Sequence, residues 1–534
     1  MKLPSVLGRQ LTSVHVTLGL LSLAAALLYS SSRSSKTKPA PNATKRVPYL
    51  PSLPILGNAL DLKRNGHRFL EWLTEQCLSR EGLAFTLRNP GRGDLLVTAN
   101  PEHYEQVMKI QVDNFIKGKY VQDVLADVLG CSLMNVDGEH WKFQRRVVAN
   151  LFSSRLLREH MTPIVQKHMK NLQNVFSNAA TAGERIDAYK LMHRFTLEAF
   201  AEIGFGCELG SLASGQEHPF ETAFDDAQRF VAVRSRGPVL LWKLKRWLNV
   251  GSERQLRNAM AVIDELVMSF ISKAIERRQL RSEGDLTQIL GKDIVSIILD
   301  SVESNGQVVE PVEVRDIAVA ALVGGRDTTA GALSWLFHTL TKHPRVEAKL
   351  RAELLTKLPK LGESDDYVPS LEEVQELPYL EATIHELLRL LPPLAFTGRF
   401  CATDTVFPDG TFVPSGTSIW ICYCGMARLT SLWGPDAAEF VPERFIDSET
   451  GAVLQFPPSK FSAFNVGPRI CPGRTLAWLE MKIVVACLVS RFHLVEPPGQ
   501  ETPYSIGITV GMKNPLMVSV ERVAAGTSAA AASG

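Results

Sequence analysis

The chain has 534 residues, 45% hydrophobic and 21% charged, with 58 Lys and Arg against 56 Asp and Glu for a net charge of +2. Values this close to the globular average argue against collagen, an intrinsically disordered chain, a long coiled coil or a polytopic membrane protein, and so small a basic excess argues against nucleic acid as the main partner. Eight cysteines are too few for a disulfide scaffold and suit a reducing compartment, where a single Cys can carry chemistry.

At the N-terminus, Leu11–Tyr29 carries no formal charge, and its 19 residues would span roughly 28 Å, just short of the ~30 Å hydrocarbon core. An uncleaved anchor and a cleaved signal peptide both fit such a run. Positive charge is denser after it (Arg33, Lys36, Lys38, Lys45, Arg46) than before it (Lys2, Arg9), which keeps the following chain cytoplasmic. The expectation is an anchor over residues 1–32, a cytosolic body and an unglycosylated sequon at Asn42-Ala43-Thr44. Residues 33–60 are basic and Pro-rich; Pro48, Pro51 and Pro54 favour the extended backbone of a stiff linker or strut.

Length alone suggests about three domains. No repeat or flexible linker interrupts residues 60–520, so one large domain over 61–522 is expected, followed by a disordered Ala/Ser/Gly-rich tail, 523–534. Helical patterning dominates residues 61–400. A helix is expected over Trp141–Val148, and another over 255–280, where Leu256, Met260, Ile263, Val267, Phe270 and Ala274 recur at helical spacing. Val312–Thr341 reads as one long helix ended by Pro344 and apolar nearly all round, so it should cross the interior. Thr405–Val413 predicts a hairpin about Asp409-Gly410, and Ser418–Tyr423 a further strand. Helix returns after Cys471. The class is mainly α with a small β portion.

The most specific local pattern is Phe464-Asn465-Val466-Gly467-Pro468-Arg469-Ile470-Cys471-Pro472-Gly473. It places Cys471 at the start of a helix, where free N–H groups and the helix dipole lower a thiol pKa. Such a thiolate is a strong axial ligand for haem iron. A lone Cys is more often a buried structural residue; the ten-residue pattern argues otherwise. In the long helix, Gly324-Gly325-Arg326-Asp327-Thr328-Thr329 sets two unfavourable glycines beside an acid and a hydroxyl. That arrangement suits either close approach of a ligand with proton transfer, or a flexible helix whose Thr bonds back to its own carbonyls. Glu386 and Arg389 share one helix face, and Arg444 could join them in a buried charge network; Glu-x-x-Arg is also common on surface helices. Trp141 and Arg145, one turn apart, suit a carboxylate such as a haem propionate, or a packed Trp beside a solvated Arg. Cys422 and Cys424 lack a second ligand pair at zinc spacing.

Together and in this order, over about residues 45–520, these patterns resemble the cytochrome P450 haem-thiolate monooxygenases. Gly324 stands where Ala is commoner in that family. The resemblance implies the cytochrome P450 fold, a single large domain, with haem b held by Cys471. It implies Trp141, Arg145, Arg399 and Arg469 at the propionates, and Asp327 and Thr328 supporting proton delivery. Glu386, Arg389 and Arg444 correspond to a structural triad. Finer resemblance is to the fatty-acid ω-hydroxylase branch of plants and yeasts. It is carried by Gly325–Ala330, by Leu129-Gly130 with Asn135–Trp141, and by Phe407–Val413. By resemblance, Lys119–Val128 and Leu394–Thr397 line the substrate pocket.

The implied reaction inserts one oxygen atom of O2 into a C–H bond near the end of a fatty acid. Too few residues follow Cys471 for a flavin or nicotinamide domain, so electrons must come from a separate partner. The resemblance makes that partner the membrane-bound NADPH–cytochrome P450 reductase, docking near Lys142, Arg146, Lys460 and Arg474. The expected location is the endoplasmic reticulum membrane, single-pass, with the catalytic domain cytosolic. Gly237–Leu248 mixes apolar and basic residues and suits a membrane-dipping segment, or an amphipathic helix packed on the body. The rival readings are a monooxygenase of sterols or other apolar small molecules, a haem-thiolate isomerase, and a haem-binding sensor without turnover.

Overall fold

The computed structural model describes residues 44–89, 92–280, 293–304 and 311–523. The expected anchor, Asn42 and the tail beyond Val523 lie outside them. Among the described residues no helix is long and apolar enough to cross a membrane. The chain divides into two compact units: residues up to Ile116 with Phe396–Leu432, and Lys117–Ala395 with Trp433 onward. The content is mainly helical with small sheets, as the patterning implied.

The first unit is built on a five-stranded sheet. Phe85–Asn89 pairs antiparallel with Gly93–Thr98, which runs parallel to Ser418–Cys422. That strand pairs antiparallel with Phe396–Cys401, and Phe115–Ile116 closes the far edge. The Pro-rich segment lies along the other edge: Thr86 N–H donates to Pro48 O at 2.8 Å, and Leu50 N–H to Thr86 O at 2.9 Å. Proline cannot donate to a ladder, so an edge is where such a segment can pair. The expected hairpin forms, with Val406 opposite Phe412. Gly410 turns it at φ 86°, and the Asp409 carboxylate accepts from Thr411 N–H and Oγ1.

The second unit is helical. The expected helices appear as Gly138–Leu151, Ser252–Leu280, Pro311–Lys342, Pro378–Leu390 and Arg474–Arg491. Pro311–Lys342 is 32 residues long and buried along most of its length. It packs on Ala188–Phe205 and on Arg474–Arg491. A Cβ added at Gly325 would lie 2.2 Å from the Phe200 ring, so glycine lets these two helices approach. Gly324 has nothing within 4 Å of such a Cβ and faces open space. The two glycines therefore serve different ends: one admits a neighbouring helix, the other leaves a gap.

Glu386, Arg389 and Arg444 assemble as expected. Glu386 is fully buried and accepts from Arg389 Nε at 2.6 Å and Nη2 at 2.8 Å, from Arg444 Nε at 3.5 Å, and from Val441 N–H at 2.9 Å. Arg389 also donates to the Ala437 and Glu439 carbonyls, which ties a helix to the irregular stretch after Trp433. A buried pair of this kind is strongly destabilising to break, because the surviving charge is left without its partner. Glu386→Ala should lower stability by about 3–5 kcal/mol, read as a fall in the denaturation midpoint. Removing the exposed Arg158–Glu372 pair in the same way should leave the midpoint near wild type.

Candidate active site

Cys471 sits at the end of a tight loop. Asn465 and Gly467 both take positive φ, 66° and 67°, and Gly467–Arg469 forms a single turn of 3-10 helix. The Cys471 N–H closes the loop by donating to Phe464 O at 2.9 Å. The helix that follows begins at Arg474 with Gly473 as its cap, so Pro472 and Cys471 precede it rather than open it. Helical polarity still reaches the sulfur, since the Gly473 N–H donates to it. Arg145 and Arg474 add positive charge nearby. The expected fall in thiol pKa is not the net outcome: desolvation is the largest influence and raises it, against all three. Yet Cys471 itself is exposed. The residue is thus exposed while surrounding protein desolvates its thiol.

The Gly138–Leu151 helix lies against this loop. Arg469 stacks on the Trp141 ring at 4.1 Å, and donates to Asp137 Oδ1 at 2.6 Å and Val136 O at 3.1 Å. The loop is thus braced to the start of that helix by a stacked, ion-paired guanidinium. Arg145, one turn after Trp141, is half-buried, and among the described residues it has no hydrogen bond or ion pair. A partly desolvated guanidinium without an anion is costly, and it lies close enough to Cys471 to interact with it electrostatically.

On the long helix, Ala321, Gly324 and Thr328 recur at helical spacing and are at least partly open, while the other residues of that stretch, Gly325 against Phe200 apart, are buried. That stripe bounds a gap in mid-helix. Thr328 Oγ1 donates to Gly324 O at 2.7 Å, one turn back along the helix. Asp327 points into a different environment. It is buried and accepts from Gln228 Nε2 at 2.7 Å and Arg326 Nη1 at 2.9 Å. Arg326 in turn holds Asp225 at 2.6 Å. Burial outweighs these donors and lifts the Asp327 carboxyl from 3.8 to about 6. His193, 3.9 Å away, is pushed down to about 4 by burial and so stays neutral. An acid near 6 can give and take protons at working pH.

Several participants were not visible in the sequence. Gln228 and His193 lie far from Asp327 in the chain, and no motif links them. Glu480 had a signal that went unused: it is a lone carboxylate in the apolar run of the Arg474–Arg491 helix. It is 1% exposed, its Oε1 has no partner among the described residues, and Thr329, next to Thr328, bonds its side chain. Burial raises Glu480 from 4.5 to about 8. Arg399 belongs to the first unit, where it is buried and donates to Gly398 O and Thr397 Oγ1. Of the expected docking cations, Arg146 and Arg474 are exposed. Lys142 pairs with Glu139, and Lys460 stacks over Trp433 at 4.6 Å.

Comparison with known proteins agrees with this geometry. The family model for cytochrome P450 matches residues 47–518, and the chain belongs to that family. It is similar to "Cytochrome P450 94B3" of Arabidopsis thaliana, 34% identical over 499 residues, 92% of this chain and 94% of the relative. It is also similar to "Cytochrome P450 94A2" of Vicia sativa, 31% identical over 507 residues, 93% and 95% of the two chains. "Cytochrome P450 94B1" of Arabidopsis thaliana is 33% identical over 496 residues, 91% and 94%. The chain is therefore a haem-thiolate monooxygenase that receives NADPH-derived electrons through a reductase. The residues present fit the haem: an accessible sulfur with a backbone donor and two cations near it, and a guanidinium lacking an anion.

Glu480 makes stability depend on pH in a defined direction. Its folded pKa is raised above the unfolded value, so the folded state holds the proton longer. That contribution is complete below pH 4.5 and is lost as pH rises towards about 8. Glu480→Gln removes the titrating group while keeping a neutral, polar side chain. The difference in thermal midpoint, variant minus wild type, should therefore rise between pH 5 and pH 8. A difference that stays flat over that range would show that Glu480 is ionised throughout.

Proposed function

We propose that the chain hydroxylates fatty acids at or near the chain end, that Cys471 is the iron ligand, and that Asp327 and Thr328 serve the proton delivery the reaction needs. The observation that carries the assignment is the Cys471 sulfur, accessible within the fold and faced by the Gly473 N–H, Arg145 and Arg474. When bound there, haem supplies O2 activation and C–H oxidation. A metal-bound thiol is deprotonated by the ion's own charge, so the net upward push of burial on free Cys471 is overcome on loading.

The protein's part follows from the geometry. The Gly473 N–H donates to the Cys471 sulfur and fixes its direction, while the Asn465–Gly467 turn holds the loop rigid. Arg145 takes a propionate as its missing anion, and Trp141 and Arg469 brace the loop beside it. Asp327, with its carboxyl raised to about 6, takes up and releases a proton, with Gln228 and Arg326 setting its orientation. Thr328 Oγ1, at the opening beside Gly324, presents a hydroxyl that exchanges its bond to the Gly324 carbonyl for a bond into the gap.

Two features support a lipid substrate and a membrane location. The Val239–Leu248 helix exposes Leu240 at 79% and Trp247 at 80%, with Lys243, Lys245 and Arg246 alongside. Apolar residues flanked by cations suit an interfacial helix dipping into a lipid surface. With the uncharged Leu11–Tyr29 run as an anchor, the enzyme would sit on the cytosolic face of the endoplasmic reticulum membrane, beside its reductase.

The test is turnover: full-length protein, reductase, NADPH and a panel of fatty acids, with hydroxyl positions mapped by mass spectrometry. Terminal or near-terminal products are expected. A normal thiolate-type reduced-CO spectrum without fatty-acid product would sink the substrate reading while leaving the family intact. Cys471→Ser should abolish that spectrum and turnover together. Asp327→Asn should lower turnover by roughly 10²-fold and remove a pH-rate limb near 6.

A further inference from the structure

His193 stands beside Asp327, and the proton delivery described above does not use it. It lies on the Ala188–Phe205 helix, 8% exposed, with its Nε2 3.9 Å from Asp327 Oδ1. Its ring is held on two sides. Nδ1 is 2.9 Å from the Tyr189 carbonyl oxygen one turn back, and the imidazole packs on the Tyr189 ring with centroids 4.2 Å apart. A carbonyl oxygen only accepts, so Nδ1 carries the hydrogen. Burial, with the Arg326 charge beside it, keeps the imidazole neutral. In that tautomer Nε2 is a lone pair. It is turned to Asp327 and makes no hydrogen bond among the described residues.

The two protonation states of Asp327 meet this lone pair differently. An ionised carboxylate has no hydrogen to offer it and is served by other groups, Gln228 Nε2 on Oδ2 and Arg326 Nη1 on Oδ1. A protonated carboxyl gains an O–H donor that needs an acceptor. Arg326 only donates and cannot be that acceptor; His193 Nε2 can. From 3.9 Å, a shift of about 1 Å brings the two atoms to hydrogen-bond distance. The other ionisable groups facing the pair are Tyr189 on the helix of His193, Arg326 on the long helix and Asp225 on the Pro219–Arg236 helix. Burial raises the Tyr189 phenol and keeps it uncharged, while Arg326 and Asp225 pair with each other at 2.6 Å.

We propose that His193 is a positioning residue for proton delivery: its Nε2 accepts the Asp327 O–H when the carboxyl is protonated, and Arg326 and Gln228 hold the carboxylate when it is ionised. The carboxyl thereby has a partner in each state. The proposal rests on the reading of Asp327 as the proton donor. His193 does not itself carry the proton: an imidazole pushed down to about 4 is a weaker base than a carboxyl near 6, so the proton stays on oxygen. A bond made only to the neutral form raises a carboxyl pKa. His193 therefore extends the proton-holding form of Asp327 to higher pH.

The test is the pH dependence of holoenzyme turnover with hexadecanoic acid, reductase and NADPH. His193→Phe keeps a ring on Tyr189 and removes the acceptor. Its pH-rate limb should move down from about 6 by about one pH unit. Turnover then falls about tenfold at pH 8 but only about twofold at pH 5, with KM unchanged. His193→Gln offers an oxygen acceptor and should restore most of the shift. Both variants should keep the thiolate-type reduced-CO spectrum; if His193→Phe does not load haem, His193→Leu takes its place. A limb that stays put, or a loss equal at every pH, means packing alone and overturns the proposal.

A second readout needs no substrate. At pH 5, below the Asp327 value of about 6, the infrared carboxyl stretch missing from Asp327→Asn marks the protonated Asp327. In His193→Phe this band should move to higher frequency, as a carboxyl that has lost its acceptor does, and in His193→Gln it should return. An unmoved band overturns the proposal. Should the fatty acid not be turned over, or Asp327→Asn keep the wild-type pH profile, the earlier reading fails by itself. The band then decides whether His193 receives the Asp327 O–H.

Discussion

Arg326 and Asp327 are adjacent residues of a helix that is buried along most of its length, and both are buried. Charges in such a place must be paired and hydrogen-bonded, or they neutralise. Arg326 meets this demand with Asp225 and with Asp327 itself. Asp327 meets it with Gln228 and by binding its proton more tightly. The Pro219–Arg236 helix, which carries Asp225 and Gln228, is thereby pinned to the long helix by polar bonds. On another face, Gly325 lets Phe200 close in, and Thr196 Oγ1 donates to Arg326 O at 3.0 Å. The partly open stripe at Ala321, Gly324 and Thr328 exists because every other face of this helix is committed.

The Cys471 loop answers a different constraint. A sulfur that is to bind a metal must be accessible, yet held without freedom to turn. Two positive-φ residues and the Cys471 N–H to Phe464 O bond fix the backbone. The Gly473 N–H fixes the sulfur, and the Arg469 stack on Trp141 fixes the loop against the neighbouring helix. Rigid support of this kind is what a ligand needs from its surroundings. The cationic setting comes from two separate elements, Arg145 on one helix and Arg474 at the start of another. The arrangement therefore depends on their packing.

The sequence carried the elements well where periodicity was strong. The long helix was expected over Val312–Thr341 and runs Pro311–Lys342, because an apolar 3.6-residue repeat bounded by proline has few other solutions. The Asp409-Gly410 turn was legible for a similar reason: its backbone demands those residues. Less was legible at the loop, where the helix begins three residues after Cys471. The Pro-rich stretch was read as a strut or linker, and part of it pairs with the sheet edge of the first unit. The second difference comes from hydrogen bonds to Thr86, distant in sequence, which no local window contains; the first is local, a loop closed by the Cys471 N–H on Phe464 O.

Family membership and the chemistry of the cysteine were within reach of the sequence alone. They depend on a short contiguous pattern with demanding backbone geometry, and on residue types that few other chemistries require together. The tertiary structure alone decided the protonation of Asp327 and Glu480, the separate roles of Gly324 and Gly325, and the pairing of Arg469 with Asp137. Among the described residues, it alone showed that Arg145 is left without a hydrogen bond or ion pair. Burial and pairing are properties of what the fold brings together. Desolvation shifts a carboxyl by whole pKa units, and a sequence states which groups are present without stating which of them keep their water.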